Sequence, residues 1–343
     1  MKLPWRPATP VVNLALQGGG AHGAFTWGVL DALLEDGRLS FEGVSGTSAG
    51  AMNAVVLAQG LMAGGRDGAR QALRDFWTAV AESLPFEAAI PTADGEGFQL
   101  ASPLRLMLQW THYFSPGQLN PFDLNPLRDI LRAQIDFDRL RQASPVMLFI
   151  ATTEANSGKL RLFRTPELVI EAVLASACLP RLHRSVMIDG QAHWDGGYAA
   201  NPAIYPLVLD CRTRDTLLVM LSPLKWAQTP QSAQAIGERT LELAFNATFL
   251  REMRMFAHLR ERVDTIAWWR RGPLERRLAR ARYHAIEPHA RVHALDTDTK
   301  AAASLRFFEM LFGLGREQGQ AWLSAHLGDV GRRSSVDLAA LFY

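Results

Sequence analysis

The sequence predicts an α/β protein with a mainly parallel central sheet, and three observations near its start carry that reading. Residues 11–17, VVNLALQ, form a short aliphatic run halted by Gly18-Gly19-Gly20, the pattern of a buried strand ending in a tight turn. Phe25, Val29, Leu30, Leu33 and Leu34 then recur at helical spacing, with Gly37 as a stop. A second short strand near 41–44 runs into Gly46-Thr47-Ser48-Ala49-Gly50 and a helical stretch over 51–58. Strand, glycine turn, helix, twice in succession, is the grammar of parallel strands joined by helical crossovers.

The later elements fit the same frame. Residues 66–82 carry a helical pattern. The stretch 83–125 is rich in Pro, Gly and aromatics, with one short helix near 103–111. An irregular segment of that length predicts a lid or channel wall, built from Leu84, Phe86, Phe98, Leu104, Leu106, Met107, Leu108, Trp110, Tyr113 and Phe114. A helix at 127–133, strands at 146–153 and 159–164, and a helix at 167–177 ended by Pro180 follow. Residues 186–188 and 192–194 read as a hairpin around Asp189-Gly190, and 217–221 as a further core strand. Beyond 228 come a long helical pattern over 231–268, a strand within 283–295 and one or two helices over 301–327. This part reads as an appendage on the core, although no linker near 228 separates it from a single continuous domain.

Composition narrows the function. The 343 residues are 48% hydrophobic and 20% charged, with Lys+Arg 36 against Asp+Glu 34. A net charge of +2 offers no footprint for nucleic acid. Arg270, Arg271, Arg276, Arg277, Arg280 and Arg282 gather beside Trp268 and Trp269, either a solvated helix face with the tryptophans in core contacts, or a patch for an anionic surface. Cys178 and Cys211 lie in apolar stretches, as free buried thiols in a reducing compartment do. Pro4, Pro7 and Pro10 break the N-terminal stretch, and no run reaches the length of a membrane span. These features predict cytoplasmic residence, leaving open peripheral contact at the inner membrane face.

Gly18-Gly19-Gly20-Ala21-His22-Gly23 matches a G-x-G-x-x-G turn between strand and helix. Such a turn aims N–H groups at an anion, which is either a standing pyrophosphate or an oxyanion formed only in a transition state. A nicotinamide reading would use Glu42 for the ribose. A plain tight turn is the bland alternative. Gly46-Thr47-Ser48-Ala49-Gly50 is a complete G-x-S-x-G, the sharp corner that presents a serine hydroxyl at a helix start. A serine needs a base. Asp195, before Gly196 and Gly197, is the leading candidate, with a hairpin turn as its alternative; Asp189 reads as a turn residue. His193 keeps a Ser-His-Asp triad open.

At these residues the chain resembles the patatin-like phospholipase family, in the order Gly18–Gly23, Gly46–Gly50, Asp195–Gly197 and over about residues 11–208. Ala175-Ser176-Ala177-Cys178-Leu179-Pro180 and Asn201-Pro202 are also similar to family segments. The resemblance implies a three-layer fold with a catalytic domain over 11–208, and residues 209–343 supplying the end of the core sheet and a mostly helical extension. It further implies a dyad of Ser48 as nucleophile and Asp195 as base, without a catalytic histidine, and an oxyanion hole at Gly19, Gly20 and Ala21. Many members carry Lys or Arg where this chain has His22, so a charge titrating around neutrality is expected there. The extension and the segment Asn120-Pro121-Phe122-Asp123-Leu124-Asn125-Pro126-Leu127 resemble a bacterial subgroup.

The expectation is a serine acyl-ester hydrolase acting on a lipid or other acyl ester, with no cofactor and no metal: no H-E-x-x-H, C-x-x-C or EF-hand pattern occurs. Two alternatives stand beside it. A catalytically silent lipid- or protein-binding module would have no need of a strained serine corner, and a nicotinamide-dependent oxidoreductase would leave Ser48 and Asp195 without roles.

Overall fold

The computed structural model describes residues 9–83, 87–92, 97–111, 113–226 and 229–343. The opening units form as their periodicities dictate. Strand β1 (Val11–Leu16) leads to helix α1 (Gly23–Asp36), then β2 (Ser40–Gly46) to α2 (Ala49–Glu82). Gly37 closes α1 in the left-handed conformation, with φ 75°. The two helical patterns expected at 51–58 and 66–82 are halves of α2, broken at Gly64 and Gly65 where the backbone leaves helical geometry.

The excursion holds more regular structure than its composition suggests. A small hairpin, β3 (Ala89–Pro91) and β4 (Phe98–Leu100), precedes α3 (Ser102–Trp110) and α4 (Pro116–Leu119). Leu104 is buried, and Phe98 and Leu108 pack on the core. Leu106, Met107, Trp110, Tyr113 and Phe114 are exposed. Leu84 and Phe86 lie outside the described residues.

Asn125 and Asp136 cap α5 (Pro126–Gln134) and α6 (Phe137–Ala143) by accepting backbone N–H bonds, although α6 has no counterpart in the sequence reading. There follow β5 (Met147–Glu154), β6 (Leu160–Arg164), α7 (Ile170–Ser176), β7 (Val186–Ile188), β8 (Gln191–Asp195), α8 (Tyr205–Leu209) and β9 (Asp215–Val219). Then come α9 (Ala233–Asp264), α10 (Pro273–Arg280), β10 (Arg282–Ile286), α11 (Ala290–His293), α12 (Leu305–His326) and α13 (Leu338–Phe342).

The central sheet runs β10-β9-β1-β2-β5-β8-β7, with β6 also on β5. From β10 to β5 the strands are parallel, while β6 and β8 pair antiparallel with β5 and β7 pairs antiparallel with β8. The sheet is therefore continuous across residue 208, since β9 and β10 complete the side of β1 that β2 leaves open. One core cluster packs α1, α2 and α12 on one face, and a second packs α8 and α9 on the other. Twelve of the fourteen residues of α1 are buried, as befits a helix covered on several sides. Asp31 and Glu35 on α1 bind Arg70 of α2 and Arg316 of α12, tying three helices through one charge cluster.

Candidate active site

The site forms where parallel strands end. Leu16 and Gly46 are paired neighbours on β1 and β2, so the two glycine turns begin side by side. Gln17 anchors the first turn to the end of β9: its N–H donates to Val219 O (3.2 Å), and its Oε1 accepts from the N–H groups of Leu221 (2.8 Å) and Ser222 (3.2 Å). The Gly18 N–H donates to Asn201 Oδ1 at 2.7 Å. A Cβ on Gly18 would stand 2.8 Å from Ser48 Cβ, so glycine is what lets the turns touch.

Ser48 sits at the corner before α2 with φ 54° and ψ −122°. A serine held there is strained, and the surroundings hold it. Its N–H donates to Ser176 Oγ at 2.9 Å, Thr47 Oγ1 donates to Ala200 O at 2.8 Å, and Gly50 N donates to Thr47 O at 2.8 Å.

Sheet register brings Asp195 to this corner. One edge of β5 pairs with β2 up to Ile150, opposite Gly46, and with β8 from Thr152, opposite Asp195. Asp195 therefore arrives two residues further along that edge, about 7 Å beyond Gly46 at strand rise. Its N–H donates to Cys178 O and its carbonyl accepts from Thr153 Oγ1, both at 2.8 Å. The side chain is 0% exposed. Oδ1 accepts the Gly197 N–H at 2.8 Å, whereas Oδ2 has no hydrogen-bond partner. Burial pushes the carboxyl up to about 7, against the opposing pull of the Gly197 N–H and the Ser48 hydroxyl. The serine is thus near enough to act on the carboxyl, while Oδ2 is left without a well-formed bond, as in many unliganded sites.

The N–H groups of Gly19, Gly20 and Ala21 have no acceptor among the described residues. They lie at the entrance to α1, where the helix adds positive potential. His193 is engaged elsewhere: its Nδ1 meets Thr152 Oγ1 at 3.0 Å and its ring packs edge-on with Phe163. Asp189 and Gly190 form the hairpin turn, both with positive φ. Glu42 accepts the N–H groups of Arg212 and Thr213, each at 2.6 Å, well before the end of β2, and so is engaged away from the glycine turn.

His22 departs from expectation. It does not titrate around neutrality: it is 3% exposed, Nε2 meets Thr299 Oγ1 at 2.8 Å, and its ring contacts Phe307. Burial, followed by the nearby Lys300 charge, lowers it to about 3, so it is neutral at physiological pH. Ser176, Asn201, Thr299 and Lys300 are the site neighbours that motif reading did not single out for roles. Ser176 and Asn201 do stand out as polar residues in mostly apolar segments.

The excursion spans this end of the molecule. Arg105 of α3 pairs with Asp298 (3.4 Å), in the turn Thr297–Ala301 that packs on the first glycine turn. Further on, the carbonyls of Gly117 and Pro121 accept from Arg184, near Cys178. A cavity of about 290 Å³ opens between that flank and residues 171–187, lined by Leu124, Leu127, Leu174, Cys178, His183 and Met187. Trp268 and Trp269 are 73% and 67% exposed, so they are not core contacts. They follow the far end of α9, whose Phe245 lies over Gly197. From Phe245 to Asp264 the helix runs about 29 Å.

The arrangement sets a serine on a strand-to-helix corner, a buried carboxylate close by and a glycine turn alongside. A sequence profile of the patatin-like phospholipases matches residues 14–208, more than half of the chain. The chain belongs to the patatin-like phospholipase family, whose members are lipid acyl hydrolases. No curated protein shows significant sequence similarity to it. Among solved structures it is similar to VipD from Legionella pneumophila, at 16% identity and a TM-score of 0.42, covering 93% of this chain and 67% of that one. It is also similar to a chain of the ExoU-SpcU complex from the type III secretion system of Pseudomonas aeruginosa, at 18% identity and a TM-score of 0.32. That match covers 92% of this chain and 52% of the other, so the protein spans about half the length of that relative. Among the described residues, no helix is long and apolar enough to cross a membrane, and no group of three His, Cys, Asp or Glu could hold a metal ion.

Proposed function

We propose that the protein is a serine carboxylic-ester hydrolase acting on lipid acyl esters, with Ser48 as nucleophile and Asp195 as its base. The observation that carries this reading is the buried Asp195 carboxyl, which feels the Ser48 hydroxyl and whose Oδ2 has no hydrogen-bond partner. A carboxyl near 7 is also a better proton acceptor at physiological pH than an ordinary one near 4.

In the cycle, Asp195 takes the Ser48 proton as Oγ attacks the ester carbonyl. The N–H groups of Gly19, Gly20 and Ala21 stabilise the oxyanion. Collapse expels the alcohol, which takes the proton from Asp195, and leaves an acyl-serine. Water then attacks with Asp195 again as base, releasing the fatty acid. Elbow residues Gly46 and Gly50 and motif residues Gly18, Gly23, Gly196 and Gly197 shape the backbone around these groups. Residues 11–208 carry the catalytic machinery, and 209–343 complete the sheet and wall the site.

Access to a lipid would run past the arch of α3 and α4, whose exposed Trp110, Tyr113 and Phe114 suit peripheral contact with a membrane surface at its inner face. Trp268 and Trp269 sit too far along α9 to guide an ester to Ser48. The test is labelling with an active-site fluorophosphonate. Modification should map to Ser48 and vanish in Ser48→Ala. A folded protein that takes no label and cleaves no ester would leave the silent-module reading standing.

A further inference from the structure

Asp195 is fully buried, and the walls around it differ in origin. A Cβ on Gly196 would stand 2.2 Å from Ala151 O, so the backbone of β5 closes one side. Cys178, just past α7, closes another, its carbonyl accepting the Asp195 N–H. Both lie within the segment that the family profile matches. A further wall comes from α9, outside that segment. A Cβ on Gly197 would stand 2.3 Å from Phe245 Cδ1 and 3.1 Å from Asp195 Oδ1, so the ring edge and the carboxyl share the space over that glycine. The ring is the reason the second glycine of Asp-Gly-Gly has no room for a side chain.

Phe245 is itself half-buried. A ring that meets solvent on one side and the Gly197 face on the other is the outer layer over the carboxyl. It is held by Tyr198, with ring centroids 4.6 Å apart, and by its helix, which buries Phe249 one turn on. The groups facing the carboxyl are uncharged. The Gly197 N–H and the Ser48 hydroxyl act on it directly. Cys178 and Tyr198 feel its charge, but burial raises both, the thiol to about 12, so each stays protonated at physiological pH. Arg181 acts on Tyr198 and Asp123 on Cys178. On α9, Glu242 is taken up by Arg239 at 2.9 Å. With no cation drawn up to hold the charged form, the exclusion of water decides how readily this carboxyl ionises.

We propose that Phe245 is the residue that keeps water from the Asp195 carboxyl, so that α9 sets the pH range over which the base can work. This rests on the hydrolase reading and deepens it: Phe245 is a positioning residue that acts through Asp195.

The test uses the full chain with Phe245→Ala, Phe245→Gln and Phe245→Leu. Infrared spectroscopy follows the carbonyl stretch of the protonated Asp195 carboxyl through a pH titration, identified as the band that Asp195→Asn removes. Native protein should lose this band around pH 7. In Phe245→Ala water reaches the carboxyl, and the midpoint should fall by about one pH unit or more. Phe245→Gln keeps the bulk but brings polar atoms to the same place; it should move the midpoint the same way, and it serves if the Ala variant does not fold. Phe245→Leu stays apolar and should keep the native midpoint. Labelling of Ser48 by a fluorophosphonate should follow suit: at pH 5, relative to each protein's own plateau, Phe245→Ala should react about tenfold faster than native. An unmoved midpoint in a folded Ala or Gln variant, or a Leu variant that shifts as far as they do, would overturn the role of Phe245. A band that shifts as expected while no fluorophosphonate reaches Ser48 would instead count against the hydrolase reading and leave Phe245 as the guard of the carboxyl.

Discussion

Replacing Asp195 with Asn should abolish turnover and at the same time stabilise the protein at alkaline pH. The carboxyl is held near 7 in the folded chain, against an ordinary value of 3.8, chiefly by burial. At about 1.4 kcal/mol for each pH unit, the gap corresponds to about 4 kcal/mol. Between those two pH values the folded protein keeps a proton that the unfolded chain has released. Stability therefore falls as pH rises through this window, and the full cost stands above pH 7. Asparagine carries no charge to bury. Its Oδ1 can still accept the Gly197 N–H, and its amide nitrogen takes the position of the unpartnered Oδ2. Urea unfolding at pH 8.5 should find Asp195→Asn more stable than the parent by up to about 4 kcal/mol, shrinking below about 2 kcal/mol at pH 5. An Asn variant no more stable than its parent at pH 8.5 would refute the burial argument.

Three further outcomes follow from the same geometry. Because Asp195 must be ionised to act, kcat/KM should climb nearly tenfold per pH unit below about 7 and level off above it, and a flat profile from pH 5 to 8 would contradict this. Ser176→Ala removes the acceptor that holds the Ser48 N–H; kcat should fall roughly tenfold, the worth of a buried hydrogen bond, with KM little changed, and an unaltered kcat would remove Ser176 from the positioning of the corner. His22→Arg would place a second cation in a buried space near Lys300. It should lose about 3 kcal/mol or more in denaturant unfolding, and parent-like stability would argue against it.

The opening units were legible because local signals sufficed. The aliphatic run of β1, the helical spacing of α1 and the glycine after each strand need only their own neighbours to be read. Ser48 and Asp195 could be singled out because a strained corner and an Asp-Gly-Gly end have few other uses. What could not be read depends on residues distant in the chain. Ser176 meets Ser48 across 128 positions, and Asn201 meets Gly18 across 183. His22 misled because its ionisation is set by burial and then by the charge of Lys300, in a turn nearly 280 residues later whose Thr299 also meets the ring. The Gly64-Gly65 break in α2 separates two helical patterns that local spacing alone could not join. Trp268 and Trp269 look alike in sequence whether buried or exposed, and only the course of α9 places them in solvent and away from the site.

The position of the Thr297–Ala301 turn also bears on how the protein is made. The first glycine turn leaves the ribosome early, yet the backbone that packs against Gly20 is translated only at Lys300. Strand β1 likewise waits for Asp215–Val219 before its second edge is covered. A nascent chain therefore carries the Gly46–Gly50 segment for most of its synthesis while the backbone that packs on the first glycine turn is still missing, and contacts of such long sequence separation form slowly. If the proposed activity holds, ester cleavage should begin only once the last third of the polypeptide has folded back onto the first, which release of the chain at successive lengths would test.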